Sequence, residues 1–228
     1  MKLRVLFLVG LGLSGALACS QGAPASGAPP TQAMSATAAA SAAEPHAEPK
    51  EAGAKLKFKD GDDRERFSLK PKDDGAKLVD GEDQELARYK WKGGELKVSG
   101  PDDAVLAYVT GGPDAFQVKD AARSAVRYTL TREGAGWKLT DAQGAVLYTV
   151  ASDGGGASVK GASGAEEIHV KVRDGKLSLR DPSGKTLLAT KQPVSPDAAA
   201  CLGFSSLDLP VRMALLFRLQ SPAGAASP

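Results

Sequence analysis

Trp137-Lys-Leu-Thr-Asp-Ala-Gln-Gly144 followed by Val146-Leu147, and Leu177-Ser-Leu-Arg-Asp-Pro-Ser-Gly184 followed by Leu187-Leu188, are one design written twice, 40 residues apart. Each joins a short alternating strand to an Asp-x-x-Gly turn and the start of a second strand. Leu96-Lys-Val98 with Pro101-Asp102-Asp103 and Val105-Leu106 echoes it, as does Leu56-Lys-Phe58 more faintly. Self-similarity at a fixed period is the mark of repeated β units, although a long meander of even strands has the same look.

Working outward, turn signals fall at Asp60-Gly61, Asp80-Gly81, Gly100 to Asp102, Asp120, Asp141 to Gly144, Gly161 to Gly164 and Asp181 to Gly184, close to every 20 residues. A second set sits between them, at Asp73 to Gly75, Gly93-Gly94, Gly111 to Asp114, Glu133 to Gly136, Asp153 to Gly156 and Asp174-Gly175. Asp-Gly and Gly-Gly are hairpin turn chemistry, so these thirteen turns imply about fourteen strands in up-and-down order. Inside the strands, Ile168, Val170 and Val172 alternate with His169, Lys171 and Arg173, and Leu56 and Phe58 with Lys55, Lys57 and Lys59. Such alternation predicts one dry face and one wet face, with His169 on the wet one.

After Thr190 the strands stop. Ser195-Pro196-Asp197 predicts a helix start, with a capping hydroxyl, Pro in the first turn and an acid beside it. A break is expected at Gly203, then a second helix over Val211 to Gln220, apolar almost all round except for Arg212 and Arg218. At about ten residues it is too short to cross a bilayer, and a helix apolar on every side demands enclosure. The expected enclosure is the sheet.

The β-rich region is expected to span 53–191 and the helical segment 192–220, with a disordered tail at 221–228. A dozen or more meandering strands, Asp-x-x-Gly turns and a closing hydrophobic helix together resemble the tubby C-terminal-like superfamily, which includes LURP-one-related proteins and phospholipid scramblases. That resemblance implies a twelve-stranded barrel around the helix. The expected fold class is therefore mainly β, an antiparallel meander of 12–14 strands closed into a barrel-like sheet around a hydrophobic C-terminal helix. A small propeller or open sandwich capped by the last helix is the alternative.

The amino-terminal quarter has another texture. Residues 1–18 carry Lys2 and Arg4, an apolar run from Val5 to Leu13, and small residues leading to Cys19; this is the layout of an export signal. Ala16-Leu17-Ala18-Cys19 resembles the lipobox of bacterial lipoproteins, departing at Ala16 where that family prefers Leu. The resemblance implies cleavage before Cys19 and its acylation, a covalent lipid (palmitate among others) holding the protein on a membrane. An ordinary secreted protein is the alternative. Ser20 and Gln21 follow, and by resemblance to the sorting rules of such lipoproteins the absence of Asp after the Cys implies the outer membrane. Ser20–Ala52 holds 12 Ala in 33 residues and five Pro, too little apolar bulk to fold, so 19–52 is expected to be a disordered tether.

Composition narrows the function. Among 228 residues there are two His and two Cys, too few for a multi-ligand zinc site, a haem or an iron–sulfur cluster. Beyond residue 18 basic and acidic side chains number 27 each, which gives no electrostatic case for nucleic acid. Acid pairs such as Asp62-Asp63 and Asp102-Asp103 fall in turns, where Asp accepts bonds from its own backbone. The Asp-x-Asp-x-Asp-Gly calcium pattern, a phosphate loop and a Gly-x-Ser-x-Gly elbow are all missing from the sequence. Cys201, among Ala198 to Leu202, is expected to be a packed hydrophobe. No catalytic residues and no cofactor are expected. The leading expectation is a membrane-anchored, non-catalytic binding module with a protein or lipid partner. A lipid-handling protein using Lys57, Lys59, Lys70, Lys72, Lys90 and Lys92 as a head-group patch is the second, and a structural envelope component the third.

Overall fold

The computed structural model describes residues 55–221. The expected export signal, Cys19, the expected tether and nearly all of the expected tail lie outside the described residues.

Fourteen antiparallel strands form a closed barrel, each pairing with its neighbours in sequence and the last returning to the first. They come as seven hairpins: β1 (Leu56–Lys59) with β2 (Glu65–Lys72), β3 (Gly75–Asp80) with β4 (Glu85–Lys92), and β5 (Glu95–Ser99) with β6 (Val105–Gly112). Then follow β7 (Ala115–Lys119) with β8 (Val126–Glu133), β9 (Gly136–Asp141) with β10 (Val146–Ser152), β11 (Gly156–Gly161) with β12 (Glu166–Arg173), and β13 (Lys176–Arg180) with β14 (Thr186–Thr190). The count is thus fourteen, as the turns imply, and not the twelve implied by the tubby-type resemblance. The chain is neither a propeller nor an open sandwich.

The repeating unit is one hairpin, half of the 40-residue spacing visible in the sequence. All seven hairpins share one turn. In the first, the Asp60 N–H donates to the Arg64 carbonyl at 2.9 Å and the Asp63 N–H to the Asp60 carbonyl at 3.2 Å. The same pair of bonds recurs at Asp80, Gly100, Asp141, Gly161 and Asp181, and at Asp120 in a turn one residue longer, where the Asp120 N–H donates to the Ala125 carbonyl. The turn's final residue has positive φ every time: Asp63, Asp83, Asp103, Arg123, Gly144, Gly164 and Gly184. Asp and Gly are the residues that tolerate that conformation best.

In five of the seven the leading residue is Asp, and its carboxylate holds the turn. Asp80 Oδ1 accepts from the Glu82 and Gln84 N–H groups at 2.9 and 2.8 Å, and Asp141 Oδ1 from Gln143 and Ala145, both at 2.9 Å. Where Gly leads, the residue two places on substitutes: Asp102 Oδ1 accepts from Ala104, and the Ser163 hydroxyl from Ala165.

Beside every such turn the register skips one residue of the second strand. Phe58 faces Phe67 but Lys59 faces Glu65, leaving Arg66 bulged. The same step leaves Leu86, Leu106, Arg127, Leu147, Glu167 and Leu187 unpaired. A bulge increases local twist, and seven in phase help bend the sheet to closure. Just inside them lies a ring of fully enclosed residues: Phe58, Leu78, Val98, Val118, Leu139, Val159 and Leu179. The outward rows hold Lys, Arg, Thr and Ser, so the barrel is apolar inside and charged outside. Val172 breaks the expected alternation: at the far end of β12 it runs past the core and is 46% exposed.

Eight strands leave an interior that side chains alone can fill; fourteen leave room for a segment. That room holds α1 (Pro196–Ala200), a 3-10 turn (Cys201–Gly203) and α2 (Leu209–Gln220). The Ser195 hydroxyl caps α1 by accepting from the Ala198 N–H at 3.4 Å. α1 rests on the β10–β13 wall and α2 on the β4–β6 wall. Met213, Ala214, Leu215 and Leu216 are fully enclosed. Polar ties fix the insert. The Tyr89 hydroxyl donates to the Pro210 carbonyl at 2.9 Å, Trp137 Nε1 donates to Asp197 at 3.2 Å, and the Tyr148 hydroxyl accepts from the Ser206 N–H at 3.0 Å.

Candidate functional site

The seam where the barrel closes is its thinnest junction. β1 meets β14 through one register pair, Lys59 with Ala189, whereas β1 meets β2 through four. β1 is only four residues long, so its ladder toward β14 ends early, and a side chain bridges the gap. Gln192 Oε1 accepts from the Lys57 N–H at 3.4 Å and from the Thr190 hydroxyl at 2.6 Å.

Two clefts flank this seam. One lies on the outer wall, about 110 Å³, between Lys57 and Lys59 of β1, Lys176 of β13, and Lys191 and Gln192 beyond β14. Lys57 sits 3.1 Å from Glu65, and Lys59 3.0 Å from Asp63. The Lys59 hydrogen bond and charge hold the Asp63 carboxyl below its usual value, with Lys176 and Lys191 adding to the effect. Among the described residues, neither Lys176 nor Lys191 has a carboxylate within ion-pair distance. The outer cleft is therefore cationic.

The other cleft opens at the rim formed by the repeated turns, about 710 Å³, where the β1–β2 and β13–β14 turns meet the start of α2. Leu188, Leu202, Leu209 and Phe67 make its apolar surface, and Arg66, Lys185 and Arg212 its cations. Asp60 and Asp62 also line it. Asp60 Oδ1 is engaged by its own turn, accepting from the Asp62 and Arg64 N–H groups at 2.9 and 3.0 Å. Asp62 lies 3.5 Å from Arg64, and Asp60 Oδ2 4.0 Å from Arg66. Arg212 donates through Nη1 to the Leu202 carbonyl at 2.9 Å, and its Nε has no protein partner among the described residues. Partial burial lowers its pKa from the ordinary arginine value, against the charge of Asp208; with so high a starting value the guanidinium stays charged at neutral pH.

The six lysines singled out in the sequence do not gather in one place. Lys57 and Lys59 join Lys176 and Lys191 at the seam. Lys72 and Lys90 line a separate cleft of about 410 Å³ with Lys77 and Arg88, where Lys90 pairs with Asp74 at 3.0 Å. Lys70 turns to Asp83 at 2.8 Å, and Lys92 ends β4. Sequence reasoning misses Lys176, Lys191, Lys185 and Arg212, because only closure brings the last hairpin against β1, and the start of α2 to the cleft lined by the first turn.

His169 stands half-exposed on β12, with Nδ1 3.3 Å from Glu166. Cys201 is fully enclosed; burial, with a contribution from Asp197, raises its thiol pKa and keeps it protonated.

No protein-family model matches the chain, and no curated protein matches it. Among solved structures it is similar to a protein from Arabidopsis thaliana, at 13% identity, over 75% of this chain and 94% of that one, with a TM-score of 0.43. The barrel assignment rests on the strand pairing.

Proposed function

We propose that the chain is a lipid-anchored bacterial envelope protein, sorted to the outer membrane, whose barrel is a non-catalytic binding module that makes its contacts at the seam. The anchor reading stands on Ala16-Leu17-Ala18-Cys19 and the basic, then apolar, run before it. The module reading is carried by one observation: closure of a self-filled barrel gathers cations from β1, β13 and α2, with two clefts, at its thinnest junction. Since α1 and α2 fill the interior, contacts belong to the outer wall and rims.

The test is metabolic labelling of intact bacteria with a palmitate analogue, combined with photocrosslinking from position 191. The expected result is label in the wild-type chain, none in Cys19→Ala, and a discrete crosslinked protein that is lost in Lys176→Glu. Label retained in Cys19→Ala refutes the anchor, and an absence of any discrete crosslink refutes the module.

The cationic outer cleft favours a second reading, contact with anionic lipid head groups, which the tubby-type resemblance also implies. Its patch is then Lys57, Lys59, Lys176 and Lys191. Co-sedimentation with anionic but not neutral vesicles, weakening as salt rises, supports that reading; equal or absent sedimentation removes it.

A further inference from the structure

The rim cleft has the chemistry of a small-molecule site. Its volume of about 710 Å³ falls within the roughly 300–1,000 Å³ typical of such sites. Its lining combines aliphatic residues (Leu188, Leu202 and Leu209) with cations (Arg66, Lys185 and Arg212), and Arg66 lies 4.0 Å from Asp60. The guanidinium is held in place from one edge only: Nη1 is anchored on the Leu202 carbonyl, while Nε lacks a protein acceptor. Nε is enclosed as well as unpartnered, and a buried N–H with no acceptor is costly to a fold, so a small shift of the side chain that presents this edge to an oxyanion in the cleft relieves it. A guanidinium fork takes a carboxylate or phosphate through two parallel bonds. Lys185 is the second cation, and among the described residues it has no ion-pair partner. The acids at the cleft mouth do not compete for Arg212, since Asp60 is engaged by its own turn and Asp62 lies against Arg64.

We propose that this cleft binds a small aliphatic molecule with a single oxyanion head, carboxylate or phosphate, the head on Arg212 and Lys185 and the chain along Leu188, Leu202 and Leu209. The proposal deepens the reading of the barrel as a binding module by naming a ligand class. It is distinct from head-group contact at the outer cleft, which uses other lysines.

The experiment is calorimetric titration of the chain carrying Cys19→Ser, so that no covalent acyl group competes, with four probes below their aggregation limits: decanoate, decyl phosphate, decanol and acetate. The expected result is saturable one-to-one binding of decanoate or decyl phosphate, the tighter of the two identifying the head. Decanol lacks the charge and acetate the chain, so both bind at least about tenfold more weakly. Arg212→Gln weakens the charged probe by about tenfold or more. Since Arg212 also ties Leu202, Lys185→Glu is the companion variant: it sits in an exposed turn, leaves the melting midpoint in place and still weakens the charged probe. Decanol binding as tightly as decanoate overturns the proposal, as does absence of saturable binding or indifference to both variants. Loss of the crosslinked partner with decanoate binding intact sinks the wider module reading and leaves this site standing.

Discussion

Gly136 and Gly112 show how one atom decides different outcomes in the same barrel. A Cβ added at Gly136 would lie 1.8 Å from the Val150 carbonyl oxygen of the neighbouring strand, and backbone cannot step aside as a side chain can. At Gly112 the same atom meets nothing within 4 Å, and φ there is not positive. Gly136→Ala is therefore expected to destabilise the domain by about 2–3 kcal/mol, a fall in Tm of roughly 5–10 °C for a domain of this size. Gly112→Ala should move it by less than about 0.5 kcal/mol. Thermal melts followed by circular dichroism check both; equal shifts would mean the strands do not approach so closely. The Asp that leads five of the turns was legible from sequence because its work is local, accepting from N–H groups within five residues ahead.

At the scale of the element, α2 is the clearest case of sequence and fold agreeing. A helix apolar on nearly every side is expected to be enclosed, and Met213 to Leu216 are fully enclosed. Its two arginines mark where enclosure ends. Arg212 reaches the rim cleft, while Arg218 donates to the Gly111 carbonyl at 2.6 Å and lies 4.7 Å from the Trp91 ring centroid. Leu216→Ala should cost about 3 kcal/mol by leaving a cavity. Leu216→Asp should abolish the cooperative melt, since an unpaired charge has no solvent there. A melting midpoint unchanged in Leu216→Asp would place the helix outside the barrel. The bulges were not legible as such, although a signal existed. Enclosed partners across each turn stand nine residues apart in six hairpins and ten in the other, Phe58 with Phe67 and Leu78 with Ala87 for example. The nine reflects one bulge per hairpin, and the ten marks the one turn, at Asp120, that is a residue longer.

For the whole molecule, closure is a long-range event with a local weakness. Thirteen of the fourteen junctions join strands adjacent in sequence, and the remaining one joins β1 to β14 across the length of the domain through a single register pair. Native-state hydrogen exchange should therefore find the amides of Lys57 to Lys59 and Leu188 to Thr190 opening at least about tenfold faster than those of Lys77 to Val79, since stability is not uniform across a fold. Equal protection at both places would show the seam to be as firm as any other junction.

The sequence by itself determined the strands, their order, their wet and dry faces and the enclosure of α2. Turn chemistry, strand alternation and the all-round apolarity of α2 are each set within a few residues, so they are written where they are read. Only the tertiary structure decided between the fourteen strands of the turns and the twelve of the resemblance, the closing of the sheet, the meeting of Lys57 and Lys59 with Lys176 and Lys191, and the lining of one cleft by both Arg212 and Lys185. Those depend on how twist accumulates over seven hairpins and on what the resulting lumen must hold, sums over the whole chain that no short stretch contains.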